Sequence, residues 1–365
     1  MLISKPQSRF GASLQFTPPA VPSQPILCDI FCTVIDNLGD AGVCWRLARQ
    51  LAREHDWRIR LWIDNPAPIA RIAPDQQLVE VCHWLGDFED VESADVVIES
   101  FACDLPPRYI EAMKGRRPVW INLEYLSAED WVAGCHGLPS PQHGLQKFFF
   151  FPGFVSGTGG LLREGDYAVL PASTFVDTLE ISLFCYTNPA LPELLIAWRD
   201  GTTDVVCHVA DGLPRQQVES WLGTPFETVS TVKRGHLTLH ALPFLPQDDY
   251  DRLLGRCHVN FVRGEDSFVR AQWAERAFVW QIYPQSDAAH FTKLQAFLDL
   301  YEKVDAGETA LRAFWFAWNG RGKLNWPEFA ATLPVQTRRA TAWSSDISTH
   351  GDLAMNLVKF CASRL

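Results

Sequence analysis

The sequence predicts an α/β protein with two Rossmann-like domains in tandem and a helical carboxyl-terminal tail. Three observations carry this reading. Apolar strand patterns alternate with helical patterns twice along the chain, from Ile26 to Asn122 and again from Leu179 to Ile282. A Gly- and Pro-rich stretch, Gly134 to Gly165, separates the two series. At 365 residues the chain also exceeds the size at which one hydrophobic core usually suffices.

The elements follow in order. Met1 to Pro25, rich in Ser, Gln and Pro and lacking an apolar h-region, reads as a disordered extension rather than a secretory signal. Ile26–Ile35 is nearly continuous in apolar character, as a buried parallel strand should be. The turn Asp36–Asp40 follows, then a helix over Gly42–Arg53 with Val43, Leu47 and Leu51 on one face and Arg46, Arg49 and Arg53 elsewhere. Arg58–Ile63 completes a βαβ unit. Strands over Leu78–Cys82, Asp95–Ser100 and Pro118–Asn122 and a helix over Pro107–Lys114 extend the alternation. Gly134–Gly165 reads as an interdomain segment; its Gly157, Gly159 and Gly160 lack the following helix that a phosphate loop requires.

The second series runs strand Leu179–Phe184, helix Pro192–Arg199, strand Asp204–Val209 and helix Pro214–Leu222. It continues with strand His236–His240, helix Gln247–Arg256, strand Cys257–Val262, helix Ser267–Arg276 and strand Ala277–Ile282. The tail from about Ala288 is helical. The expected units are an extension (1–25), a first domain (26–165), a second domain (166–335) and a final helix (336–365) packing back across the domains.

Composition excludes several classes. A net charge of −11 disfavours nucleic acid as a partner, because such binding rests on cations that neutralise phosphates. No apolar run is long enough to span a bilayer. Ten scattered cysteines form neither zinc-ribbon spacing nor a disulfide framework, so reduced thiols in a cytoplasmic protein are expected. No G-x-G-x-x-G, Walker A, H-E-x-x-H or G-x-S-x-G motif is present.

In open α/β sheets ligands bind beyond the carboxyl ends of the strands. Two segments sit there. Asp36-Asn-Leu-Gly-Asp40 brings two carboxylates into one tight turn, with Gly39 allowing close approach of a substrate; Asp40 would equally serve as a helix cap. Arg263-Gly-Glu-Asp-Ser267 opens a helix, whose amino terminus suits a diphosphate; in the alternative, Asp266 caps the helix and Arg263 and Arg270 pair with carboxylates. Tyr186, Phe244, Gln247 and Tyr283 follow strands and could frame a nucleobase, though each also fits a core or turn role.

Tandem α/β domains with a helical tail suggest the GT-B architecture of glycosyltransferases. Beyond that, the chain resembles the EarP family of protein-arginine rhamnosyltransferases. The resemblance rests on Ile35–Asp40, Gly42-Val43 with Trp45–Arg49, Glu99–Pro106, Asn122–Glu129, Leu138–Pro141, Pro243–Gln247, Arg263–Gln272 and Ile282–Gln285, in family order over most of the chain. It implies an inverting, metal-independent transfer of L-rhamnose from dTDP-β-L-rhamnose to an arginine of translation elongation factor P. On this resemblance Asp40 is the catalytic aspartate, Asp36 orients the guanidinium, and Glu265 is a second essential carboxylate. Asp266 and Ser267 hold the diphosphate, while Tyr186, Phe244, Gln247 and Tyr283 surround the thymidine. No cofactor is implied, and a monomer is expected. The residues alone leave two other readings open: a GT-B enzyme with a glycan or small-molecule acceptor, and a non-enzymatic protein that binds nucleotide sugar or elongation factor P.

Overall fold

The computed structural model describes residues 25–36, 38–74, 77–84, 91–170, 178–285, 288–304 and 309–365. The expected disordered extension lies outside these residues except for Pro25. The first half comprises β1 (Leu27–Cys32), α1 (Gly39–His55), β2 (Arg58–Ile63), α2 (Ala67–Ile72), β3 (Val79–His83), β4 (Val96–Ser100), α3 (Pro107–Arg116), β5 (Val119–Leu123), α4 (Val132–Cys135), β6 (Pro139–Gln142) and β7 (Leu145–Phe150). Its strands form one sheet in the order β3-β2-β1-β4-β5-β7-β6, parallel except for the β6–β7 hairpin.

The second half comprises β8 (Thr178–Leu183), α5 (Leu191–Arg199), β9 (Asp204–Val209), α6 (Leu213–Leu222), β10 (Thr231–Arg234), β11 (Leu237–Ala241), α7 (Gln247–Arg256), β12 (Val259–Arg263), α8 (Asp266–Trp273) and β13 (Ala277–Gln281). These strands order as β10-β11-β9-β8-β12-β13, with only β10 antiparallel. The helices α9 (Ala289–Tyr301), α10 (Thr309–Trp318), α11 (Trp326–Ala331), α12 (Leu333–Ser348) and α13 (Leu353–Ala362) follow. The GT-B expectation is met: each sheet is doubly wound, with a reversal of strand order between β1 and β4 and between β8 and β12.

Alternation along β1 sets the two layers of the first sheet. Cys28, Ile30 and Cys32 face one core with Leu47 and Leu51 of α1. Phe31 faces a smaller core with Tyr109 and Met113 of α3. The second core is aromatic: Trp198, Phe261, Phe278, Phe297, Tyr301, Trp315 and Trp343 all pack within it. This is where much of the tryptophan in the sequence goes. All ten cysteines are free thiols.

Several expectations need correction. The stretch 139–150 is not linker but the β6–β7 hairpin of the first sheet. Only the irregular chain beyond Phe150 passes between the units: Phe154 and Leu161 pack in the second core and Leu162 in the first. The tail after residue 335 is not a single helix, because a boundary there cuts α12. Trp343 and Ile347 of α12 belong to the second core, whereas Leu353, Leu357 and Cys361 of α13 belong to the first. Helix α1 starts at Gly39 rather than Gly42, which places Asp40 inside its first turn.

Candidate active site

The two reversal points face each other, and a cleft lies between them. Its larger part is a cavity of about 500 Å³ lined by both units, within the usual size range for a small-molecule site. A smaller cavity of about 240 Å³ adjoins it. Asp36, Gly39, Gly264, Glu265 and Tyr283 border both.

Asp40 projects from the first turn of α1 into the smaller cavity. It is not a helix cap, since Leu38 holds that position without a side-chain bond. Its Oδ2 instead reaches backward and accepts from the backbone N–H of Ile35 and of Asp36, both at 2.8 Å. Among the described residues, only the Tyr125 hydroxyl, at 3.4 Å, hydrogen-bonds Oδ1. One oxygen is therefore anchored and the other is nearly free to act. Burial raises the Asp40 pKa; the two backbone donors offset part of that rise, and Asp36 adds to it. Asp36 accepts a bond from the Tyr186 hydroxyl at 2.7 Å, which joins the two units across the cleft.

Glu265 precedes α8, and its Oε2 accepts from the backbone N–H of Leu126 at 3.0 Å. Burial pushes its pKa up to about 8, with Asp40 and Asp266 adding to the rise. A neutral carboxyl resolves an apparent conflict, because an ionised one would repel an anionic ligand at the α8 amino terminus. Gly264 supplies the turn: its φ is +61°, and a Cβ there would lie 2.9 Å from the Tyr186 hydroxyl.

The predicted diphosphate residues are arranged differently from the simplest expectation. The Asp266 carboxylate is engaged by Arg46 at 2.6 Å and by Gln247 at 3.0 Å. The Ser267 hydroxyl donates to the carbonyl of Arg263 at 2.6 Å and accepts from its N–H at 3.1 Å. What this segment offers an anion is its backbone: the first-turn N–H groups of a helix have no intrahelical partner. Arg270 does pair with carboxylates, Glu164 at 2.6 Å and Asp251 at 2.8 Å. Arg263 does not. Its guanidinium lies over the rings of Phe184 (4.5 Å) and Tyr186 (4.4 Å) in the cavity wall, with no carboxylate paired to it among the described residues.

The nucleobase candidates gather around the larger cavity. Tyr186 and Tyr283 meet edge to face at 5.5 Å. Phe244 carries Arg71 of α2 over its ring at 4.1 Å. Gln247 donates through Nε2 to Gly42 O and Asp266, while its Oε1 is buried with no partner among the described residues. Every residue singled out from the sequence thus borders the cleft. Four others were given no role there: Arg263, read as an ion-pairing residue, and Arg71, Tyr125 and Leu126. Tyr125 and Leu126 lie just after a strand and inside the resemblance stretch Asn122–Glu129, the two signals that could have marked them.

Arg263 yields a prediction. Arg263→Gln should weaken binding of a nucleoside diphosphate sugar roughly ten- to a hundredfold, the range for one charge-assisted contact, as read by calorimetry.

Among the described residues, the only cluster with metal-ligand atoms grouped together is Glu180, His208 and Cys257, and none of these lines the cleft.

Residues 28–362 match the family described as Elongation-Factor P (EF-P) rhamnosyltransferase EarP. A protein-arginine rhamnosyltransferase of Pseudomonas aeruginosa is 46% identical, the match covering 92% of this chain and 99% of that one. A solved structure, described as the structural basis for EarP-mediated arginine glycosylation of translation elongation factor EF-P, shares 33% identity at a TM-score of 0.64 and covers 93% of this chain and 100% of its own. The glycosyltransferase of kitacinnamycin shares only 11% identity at a TM-score of 0.55, covering 93% of this chain and 99% of that one, and so shows the fold alone.

Proposed function

The chain belongs to the EarP family of protein-arginine rhamnosyltransferases, and from that premise we propose that it moves L-rhamnose from dTDP-β-L-rhamnose to one arginine of translation elongation factor P, inverting the anomeric carbon. The observation that carries this reading is the placing of Asp40 and Glu265 in one small cavity beside a cavity of nucleotide size.

The larger cavity takes the donor. Phe244 and the Tyr186–Tyr283 pair supply aromatic faces for thymine, and Gln247 lies in the same wall as the amide for its edge. The diphosphate meets the amides at the start of α8 and the Arg263 guanidinium, which stabilise the charge that develops on it. These groups supply the leaving-group stabilisation themselves, and a metal-independent transfer is the form proposed.

The acceptor enters the smaller cavity. A guanidinium with a pKa above 12 is a poor nucleophile until a carboxylate takes its proton. In the proposed step a guanidinium nitrogen attacks the anomeric carbon from the face opposite the diphosphate. The new C–N bond forms as the C–O bond breaks, its electron pair leaves with the β-phosphate, and the N–H proton passes to Asp40 Oδ1. Asp36 steadies the guanidinium through its charge. Elongation factor P is a translation factor, so the reaction belongs to the cytoplasm; no described helix is long and apolar enough to cross a membrane.

The test is to incubate the enzyme with elongation factor P from the same organism and dTDP-β-L-rhamnose and to record the intact mass of the factor. One added deoxyhexose on one arginine is the expected result. No addition, with donor shown to bind, would direct the search to another acceptor.

The protonation of Glu265 gives a pH prediction. As pH rises through about 8 the carboxyl ionises beside the diphosphate site, so donor affinity should fall. Glu265→Gln, always neutral, should bind donor with no such fall between pH 7 and 9. A wild-type affinity that is flat over this range would refute the assignment.

A further inference from the structure

The smaller cavity has one wall with no role so far. It consists of Phe101, just after β4, and Tyr125, just after β5. Their rings stack at 4.3 Å with an interplanar angle of 14°. Phe101 is buried, while Tyr125 is 40% exposed. The pair therefore presents one aromatic face, that of Tyr125, to the cavity beside Asp40 Oδ1.

The backbone supports this at a cost. Phe101, Ala102 and Asp104 have φ of +58°, +53° and +52°, a left-handed conformation disfavoured for non-glycine residues. Such strain persists only where surrounding contacts fix it. They do so here: Phe101 N–H donates to Leu123 O at 2.7 Å, and Ala102 N–H donates to Asn122 Oδ1 at 3.2 Å. The loop is held so that Phe101 backs Tyr125. The residue after Tyr125, Leu126, donates its N–H to Glu265, so one short segment touches both Asp40 and Glu265.

We propose that Tyr125, backed by Phe101, is the positioning residue for the acceptor: the guanidinium plane lies on its ring while its hydroxyl holds Asp40 Oδ1 toward that plane. This rests on the function proposed above. A planar cation is attracted to an aromatic face and to a carboxylate at its edge, and the wall and Asp40 offer both together. A neutral acceptor would gain neither contact, and an ammonium would lack the flat face that stacks on the ring and the fork that meets a carboxylate, so the wall favours guanidinium.

The experiment measures steady-state rhamnosylation of elongation factor P by wild type, Tyr125→Leu and Tyr125→Phe, with donor affinity measured for each. Leucine keeps apolar bulk against Phe101 but has no π face. It should raise the acceptor KM by about 3- to 30-fold, the worth of one cation–π contact, and leave donor affinity unchanged. Phenylalanine should restore the acceptor KM. It should also shift the acidic limb of the pH profile of kcat/KM to higher pH, because the lost hydroxyl had favoured ionised Asp40. A wild-type acceptor KM in Tyr125→Leu, equal impairment in both variants, or loss of donor affinity would overturn the proposal. Failure of the wild type to modify the factor would instead overturn the function on which the proposal rests.

Discussion

Asp40→Asn is expected to slow arginine transfer by roughly 10²- to 10⁴-fold, the usual contribution of a general base, while donor affinity stays unchanged. The geometry makes this substitution unusually informative. Two backbone N–H groups point at Oδ2, so the asparagine carbonyl oxygen must occupy that place. Its NH₂ group is then forced into the position of Oδ1. The variant keeps the turn and the shape of the cavity but aims a donor, rather than a proton acceptor, at the incoming guanidinium. Intact-mass time courses on elongation factor P, with calorimetry for the donor, separate the two effects. Turnover near the wild-type rate would remove Asp40 as the base.

The second large effect concerns stability. Arg46 is fully buried on α1 and bonds Asp266 at 2.6 Å, Asp251 through two contacts at 3.0 Å and Glu164 at 3.5 Å. Arg270 shares Glu164 and Asp251, and Arg49 reaches Glu164 at 3.1 Å, so three guanidinium groups serve the three carboxylates, with Arg46 the one that touches all of them. Removing one cation from such a cluster leaves buried anions facing one another, and breaking a buried pair in this way typically costs about 3–5 kcal/mol. Arg46→Met should lose that much in denaturant unfolding. It should also weaken donor binding, because Asp266 sits at the start of α8. The Coulombic pull of Arg270 and Arg46 outweighs burial and holds the Glu164 pKa well below the usual carboxylate range, so Glu164 stays ionised under ordinary conditions. Unchanged stability of the methionine variant would show that the cluster rearranges around the loss.

What the sequence revealed, and what it hid, follows from the same physics. Parallel strands buried on both faces read as apolar runs, so β1, β4, β5, β12 and β13 were visible, and β2 and β9 showed one buried face through alternation. The β6–β7 hairpin was not. Pro139 and Pro141 look like linker residues, yet β6 is an edge strand, where proline is tolerated. Edge strand β10, Thr-Val-Lys-Arg, lacks an apolar pattern for the same reason of position. Arg46 lay off the apolar face of α1, and a local pattern puts such a residue in solvent. Only three acids 118 to 220 residues away bury it. At the site, motif resemblance brought the right segments together but could not distribute atoms within them. Whether Asp266 offers its carboxylate or its amide to a ligand depends on Arg46, which no local reading connects to it.

Among the described residues the chain passes between the two units in two places: along the irregular segment beyond Phe150, and between α12 and α13. The crossings are side by side. Leu353 N–H donates to Leu161 O at 3.0 Å, the Asn356 amide reaches Gly159 O at 3.0 Å, and Gln50 bonds both Arg163 O (2.8 Å) and Asp352 (3.0 Å). Two adjacent covalent straps leave essentially one easy motion, a swing of one half about a hinge line through both. The Tyr186–Asp36 and Leu126–Glu265 bonds act as latches on that swing. Such a swing would break the contacts that hold Asp36 and Glu265, while Asp40 would keep its own, which lie within the first half. Asp36, Asp40 and Glu265 therefore stand together as one site only while the two halves are latched.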